Sequence, residues 1–213
     1  MRKIAKNDEP EHLTKYKRQN PNNRYKDISN DEGLRQSIRE ACTAEQFYLC
    51  AYCCDKITGE NDSCHNEHIE AQKLANTRTL DYSNIVASCN AKNQCGHKHG
   101  HTKLELTPLM DACETELKFE TNGLVVGTTP RAQACIDILN LGDTAQSNRR
   151  LVSIRKQMIE ALLFDIGLKP YEQLEDDELL AMVITELNTP IKGELASFSP
   201  VLVAILNDQL LSI

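Results

Sequence analysis

No segment of this 213-residue chain approaches the roughly eighteen consecutive apolar residues that a membrane-spanning helix requires. The opening residues MRKIAKNDEPEHL also lack the apolar stretch of a secretory signal, so the expected location is cytoplasmic, with no membrane contact. Positive charge is scarce as well: 24 Lys and Arg face 31 Asp and Glu, a formal net charge of −7. A protein that grips a phosphate backbone unaided normally presents a basic face, because released counterions supply most of the non-specific affinity. Only residues 1–26 are basic, with eight Lys/Arg against three Asp/Glu, whereas residues 104–213 carry eight against seventeen. Any polyanion would have to be gripped in part by something else. No Ser/His/Asp set, glycine-rich phosphate loop or Walker pattern occurs, which argues against nucleotide hydrolysis by this chain. Internal repeats and low-complexity tracts are absent too.

Cysteine, by contrast, is plentiful: of nine, seven lie between Cys42 and Cys95. In a reducing cytosol, clustered thiols point to metal ligands or reactive groups before a disulfide framework. Cys50 and Cys53 form a CxxC, a spacing at which one tight turn presents two thiolates to a tetrahedral ion about 2.3 Å from each sulfur. Alone that pair is a weak signal. Cys89 and Cys95 offer a second at a looser spacing, and the four together predict a structural zinc. The competing reading is that several are buried free thiols, the commonest fate of a cytosolic cysteine. A redox pair at Cys53–Cys54 or nearby is the remoter option, since no βαβ pattern surrounds it.

Patterning predicts an α+β protein in three segments. Residues 1–44 read as a polar arm with little core, followed by a helix that opens on a Ser29–Glu32 capping box and buries Leu34, Ile38 and Cys42 on one face. Residues 45–105 break into short pieces, in the order strand, turn, strand, loop, helix: "FYLCAYC" enters a knuckle, "HNEHI" is a strand, and "NIVASC" is an apolar-periodic run. Residues 106–213 start with a hairpin around Asn122-Gly123, both central residues at positive φ, and turn mostly helical. Helices are predicted to start at Pro130, near Ser147, near Glu175 and at Pro200 with Ser199 as N-cap, and Gly167 ends the long one.

The stretch "CHNEHIEAQ" at 64–72 is the chemical core of the sequence. Glu67 offers a carboxylate to a hard divalent ion such as Mg²⁺ or Mn²⁺, and the adjacent His68, left uncoordinated, can take a proton from water. Together these roles suit phosphodiester hydrolysis. "GHKHGH" at 96–101 holds His97, His99 and His101, half of the six histidines in the chain, and one of them can complete the metal site. His101 is read as part of a solvated turn, and His12 has no ligand-like neighbours.

"LCAYC", "HNEHIEAQ", "LDYSNIVASCN" and "CGHKHG", in that order and spacing, resemble the HNH endonucleases with a ββα-metal core. More narrowly, the opening residues and "KLELTP…CETELKFETNGLV…IDILNLG…NRR" look like the PtuB-type HNH nucleases of Septu and retron-associated antiphage defence, with the similarity fading after about residue 170. The resemblance implies a zinc-stapled ββα-metal core with a largely helical C-terminal part. In it Glu67 is the acidic metal ligand and His68 the general base, while Asn84 is the amide that fixes the loop bearing the histidine. It further implies cleavage of nucleic acid, DNA first, beside a PtuA-type ATPase that gathers the substrate. Residues 1–26 and one apolar helical face of 144–213 would then be docking surfaces.

Two departures stand out. Ala71 replaces the proline of the family's "HIxP", and "CGHKHG" places His99 where lysine is expected. The last metal ligand is therefore ranked His97, then His99, then Asn93. His65, on the strand face of Glu67, is open between a supporting role, a substrate contact and an ordinary loop histidine. Two other function classes stand beside this one: a ribonuclease of the same fold acting on a defined RNA such as a tRNA, and a non-catalytic zinc adaptor.

Overall fold

The computed structural model describes residues 1–167 and 177–210, an α+β arrangement of helices around two small antiparallel sheets. Helices α1 (Glu11–Gln19) and α2 (Glu32–Glu45) precede strands β1 (Cys64–His68) and β2 (Ile85–Cys89) and a single helical turn, α3 (Gly96–His99). A hairpin of β3 (Leu117–Phe119) and β4 (Val125–Gly127) leads into α4 (Pro130–Leu139), α5 (Arg149–Asp165), α6 (Asp177–Asn188) and α7 (Ser199–Leu210). Buried apolar side chains from Met1 to Ile205 form one continuous core, so all three segments contribute to it. Among the described residues no helix is long and apolar enough to cross a membrane.

α2 buries Leu34, Ile38 and Cys42 as its periodicity demands. Its cap differs from expectation: Asp31 accepts from the Leu34 N–H at 3.0 Å, while Ser29 closes a preceding 3₁₀ turn. The aspartate is better placed because its carboxylate reaches an N-terminal N–H that would otherwise have no acceptor. Further on, "FYLCAYC" makes no strand. Phe47 and Tyr48 adopt left-handed backbone (φ 54° and 62°), and only an isolated Leu49–Lys56 bridge frames the knuckle.

"HNEHI" is a strand, and its partner is "IVASC", the run that the order strand, turn, strand, loop, helix assigns to the helix. β1 and β2 pair antiparallel, with Cys64 opposite Cys89 and His68 opposite Ile85. All five residues of β2 are buried, and a strand covered on both faces loses the alternation that would distinguish it from a buried helical segment. The helix of the ββα unit comes later, at α3.

Beyond the core, the hairpin forms with a longer loop than a two-residue turn. Glu120 accepts from the Gly123 N–H at 2.9 Å, and of the Asn-Gly pair only Gly123 takes positive φ. α4 starts at Pro130 behind a Thr129 cap, α5 behind an Asn148 cap, and Gly167 (φ 77°) follows the end of α5. Glu175 lies outside the described residues. Ser199 begins α7, but its hydroxyl is buried without a hydrogen-bond partner, so it is not the expected side-chain cap.

The N-terminal residues are not a loose arm. Met1 and Ile4 are buried, and Ile4 N–H donates to Pro108 O at 2.7 Å. Lys6 is drawn inside: its ammonium pairs with the Glu45 carboxylate, donates to Ile85 O at 2.7 Å and sits 3.7 Å from the centroid of the Tyr82 ring. Glu45 is fully sheltered, so Lys6→Met would strand a buried charge. The expected loss is about 3 kcal/mol of unfolding free energy, measured by urea denaturation.

Candidate functional site

The β1–β2–α3 unit brings together two side-chain clusters, one of four thiols that could hold a metal ion and one of a carboxylate with imidazoles. Cys50 and Cys53 come from the knuckle after α2, Cys89 ends β2, and Cys95 precedes α3. Their sulfurs all lie within 4.8 Å of one another and are buried. A tetrahedral zinc with sulfurs at about 2.3 Å places those sulfurs about 3.8 Å apart, and Cys53 and Cys89 are 3.9 Å apart. A disulfide would need about 2.05 Å, and all nine cysteines are free. The Cys89 N–H donates to Cys50 Sγ at 3.3 Å across the cluster.

The chemistry of the four thiols also fits a cation. Burial opposes a charge on Cys50, but hydrogen bonds from Cys53, Cys89 and Cys95 bring its thiol well below the usual range. The same coupling, from Cys50 foremost, holds Cys53 well above it, and burial leads the rise at Cys95. Ionising one of these coupled thiols thus opposes ionising its neighbours, and a divalent ion would relieve that opposition. Gln94, which sequence patterning did not single out, aims its buried amide nitrogen at Cys53, Cys89 and Cys95 from 3.7 to 3.9 Å, and Asn148 holds its oxygen at 3.0 Å. The other thiols differ: burial pushes Cys42 and Cys135 up to about 12 and Cys113 to about 11, leaving them inert.

The second group gathers on the face of β1 that carries residues 65 and 67. Glu67 Oε1 is 2.6 Å from His99 Nδ1, and Glu67 Oε2 is 3.5 Å from His65 Nε2. The partner of the carboxylate is thus His99, the second-ranked residue. α3 is one turn long, with His99 N–H bonded back to Cys95 O, so position 99 faces inward and position 97 outward. His97 lies against His65, ring centroids 4.5 Å apart, and Asn93 is exposed in the preceding loop. Burial opposes ionisation of Glu67, yet hydrogen bonds from His65 and His99 hold its carboxyl below the usual range. At Gly96 a Cβ would come within 2.5 Å of His65 Nε2 and 2.8 Å of Glu67 Oε2, so the close approach of α3 needs glycine.

His68 closes β1 on the opposite face and is 5% exposed. Its Nε2 lies 2.9 Å from Thr79 O, which can only accept, so Nε2 carries the proton and Nδ1 keeps its lone pair. Gln72 reaches that Nδ1 at a long 3.4 Å, and Tyr25 packs edge-on, centroids 4.8 Å apart. Burial holds the imidazole below the usual histidine range, hence neutral. Asn84 touches neither group: its side chain accepts from Glu70 N–H at 2.8 Å and donates to Glu70 O at 3.1 Å, closing the loop between the strands. His101 meets Lys73 Nζ at 2.9 Å. Thr79, Gln72, Tyr25, Asn90 and Thr102, which orient the histidines, carry no periodicity or motif that would announce them.

A pair of antiparallel strands, a following helical turn, a carboxylate between imidazoles and four converging thiols that could hold a metal ion together define an α+β protein. No family model matches the chain. Over 96 residues it is 30% identical to a protein of Escherichia coli named "Retron Ec83 putative HNH endonuclease", a match covering 42% of this chain and 37% of that relative. The chain therefore aligns with well under half the length of the relative.

Proposed function

We propose that this chain is a metal-dependent HNH endonuclease of the PtuB type that hydrolyses phosphodiester bonds in DNA, acting with a PtuA-type ATPase in antiphage defence. One observation carries the reading: Glu67 and His99 meet at 2.6 Å, and the next residue along β1, His68, is held on the other face with its Nε2 tied to Thr79 O and its Nδ1 lone pair kept. The name of the Escherichia coli relative supports the nuclease part. A net charge of −7 supports a partner that supplies much of the grip on nucleic acid.

In this reading Cys50, Cys53, Cys89 and Cys95 hold a structural zinc that pins the base of the unit. Glu67 and His99 hold Mg²⁺ or Mn²⁺, which when bound neutralises charge at the phosphate and at the leaving oxygen. His68 Nδ1 takes the proton of a water where the Gln72 amide now rests, and the water oxygen attacks phosphorus as the phosphodiester P–O bond breaks. The Thr79 carbonyl stabilises the imidazolium so formed, and Asn84 keeps the loop bearing Thr79 in place.

Wild-type protein, alone and with the co-encoded ATPase, is expected to cut DNA with Mg²⁺ or Mn²⁺ and to stop in EDTA. Gel analysis of a panel of plasmid, linear duplex, single-stranded DNA, bulk RNA and tRNA tests this. Cleavage confined to RNA would reassign the substrate, and inertness toward every polymer under all conditions would leave the zinc-adaptor reading.

A further inference from the structure

We infer that Arg155 is the counter-charge of the four-cysteine cluster, its buried guanidinium offsetting the negative charge that the thiolates carry once a divalent ion is bound. It is a positioning residue for the structural metal and takes no part in cleavage. The inference deepens the proposed zinc site and rests on it.

Arg155 lies on α5, is 2% exposed and pairs with no carboxylate among the described residues. Its Nη2 donates to Leu141 O, its Nε is buried without a hydrogen-bond partner, and its guanidinium carbon stands 4.4 to 5.5 Å class distance, 5.5 Å, from the centroid of the Phe119 ring. A carbonyl and a ring face supply only partial charge, and arginine is almost never fully buried unless an anion pairs with it. Burial takes the guanidinium down to about 10, which still leaves it charged at neutral pH. The opposite pull comes from thiols, Cys53 first, then Cys54 and Cys95. Cys53 and Cys95 belong to the cluster.

Geometry links the cation to the sulfurs by two routes. Arg155 follows Asn148 by about two turns of α5, and Asn148 holds the Gln94 amide whose nitrogen is aimed at Cys53, Cys89 and Cys95. On the other side, Leu141 O accepts from Arg155, while the nearby Leu139 O accepts from the Cys95 N–H at 2.9 Å. A Cβ at Gly142 would stand 3.0 Å from Arg155 Nη2, so the bare backbone there makes room for the guanidinium. With protonated thiols this cation is unbalanced. Four thiolates on a divalent ion make a dianion, and a fixed positive charge nearby favours the thiolate forms that bind metal.

The experiment is competition for zinc between a chromogenic chelator and the full chain, in wild type and in Arg155→Met, Arg155→Gln and Arg155→Lys, with circular dichroism of each zinc-saturated protein. Wild type is expected to hold one zinc per chain, and Arg155→Met and Arg155→Gln to bind it at least about tenfold more weakly. Arg155→Lys keeps the charge and should lose clearly less than Arg155→Gln, which keeps only a donor for Leu141 O. That pair carries the test if Arg155→Met does not fold. A role limited to holding Leu141 O would leave zinc affinity unchanged in the folded variants, and that result overturns the inference. So does an Arg155→Lys that loses as much affinity as Arg155→Gln. In both cases a zinc-bound wild type leaves the zinc site standing, whereas a wild type that binds no zinc removes the site and the inference together.

Discussion

His68→Ala is expected to lower the single-turnover cleavage rate by about 10²- to 10⁴-fold while zinc content and Mn²⁺ affinity stay at wild-type values. The expectation follows from the position of His68 on the face of β1 opposite Glu67, where it holds no ion and offers a lone pair only through Nδ1. Truncation also leaves Thr79 O without its donor, so a drop in melting temperature equivalent to about 1–3 kcal/mol should accompany the loss. Circular dichroism separates that effect from unfolding. Added imidazole should restore part of the rate, which a purely structural role would not allow. The pH profile gives a second check. A base must be neutral to act, so kcat/KM should rise with pH through the free-enzyme pKa and level off above it. Burial lowers the His68 pKa, so the acidic limb should lie below the ordinary histidine value of about 6.5. Full activity in His68→Ala, or an acidic limb indifferent to that substitution, would remove His68 from the chemistry.

Stripping the proposed zinc with a strong chelator, or introducing Cys95→Ser, should have the larger effect on the fold. Structural zinc contributes an apparent binding free energy of about 10–16 kcal/mol in small zinc domains, comparable to the whole stability of a typical domain at about 5–15 kcal/mol. Here the four sulfurs tie together the knuckle, the end of β2 and the start of α3, and Gln94 extends that tie to Asn148 at the head of α5. Loss of the cooperative thermal transition is expected, together with loss of Mn²⁺ binding, because Glu67 and His99 are positioned by the same strand and turn. Zinc affinity should weaken as pH falls, since Cys53 and Cys95 must give up protons that the metal-free cluster holds tightly. A chain that melts at the wild-type temperature with no zinc, as measured by a chromogenic chelator, would show that the thiols are ordinary core residues.

The two strands illustrate what could be read in advance and what could not. "HNEHI" was legible as a strand from its shortness between loop-like segments; its four polar residues carry no alternation, and β1 is buried at its two ends and half-buried between them. "IVASC" is buried on both sides, and a run of five apolar or small residues carries no period that separates strand from helix. The same limit applies to His97 and His99. Two residues apart on an unknown backbone, they are equivalent in sequence, and only the i→i−4 bond from His99 to Cys95 turns one inward. Lys6 reads as part of a basic arm because charge statistics do not reveal that its partner, Glu45, lies across the core.

By itself the sequence determined the inventory: four cysteines in two pairs, an acid followed by a histidine, a histidine-rich turn, and the helix starts at Pro130 and near Ser147. These are local properties, set by side-chain chemistry and by the N–H groups that a helix end must satisfy. Tertiary structure alone decided which imidazole meets Glu67, which nitrogen of His68 keeps its lone pair, how Gln94 reaches the cysteine cluster and how Asn90 reaches His65. Those outcomes depend on contacts between residues far apart along the chain, such as Asn90 with His65 and Asn148 with Gln94, and no short-range pattern encodes them.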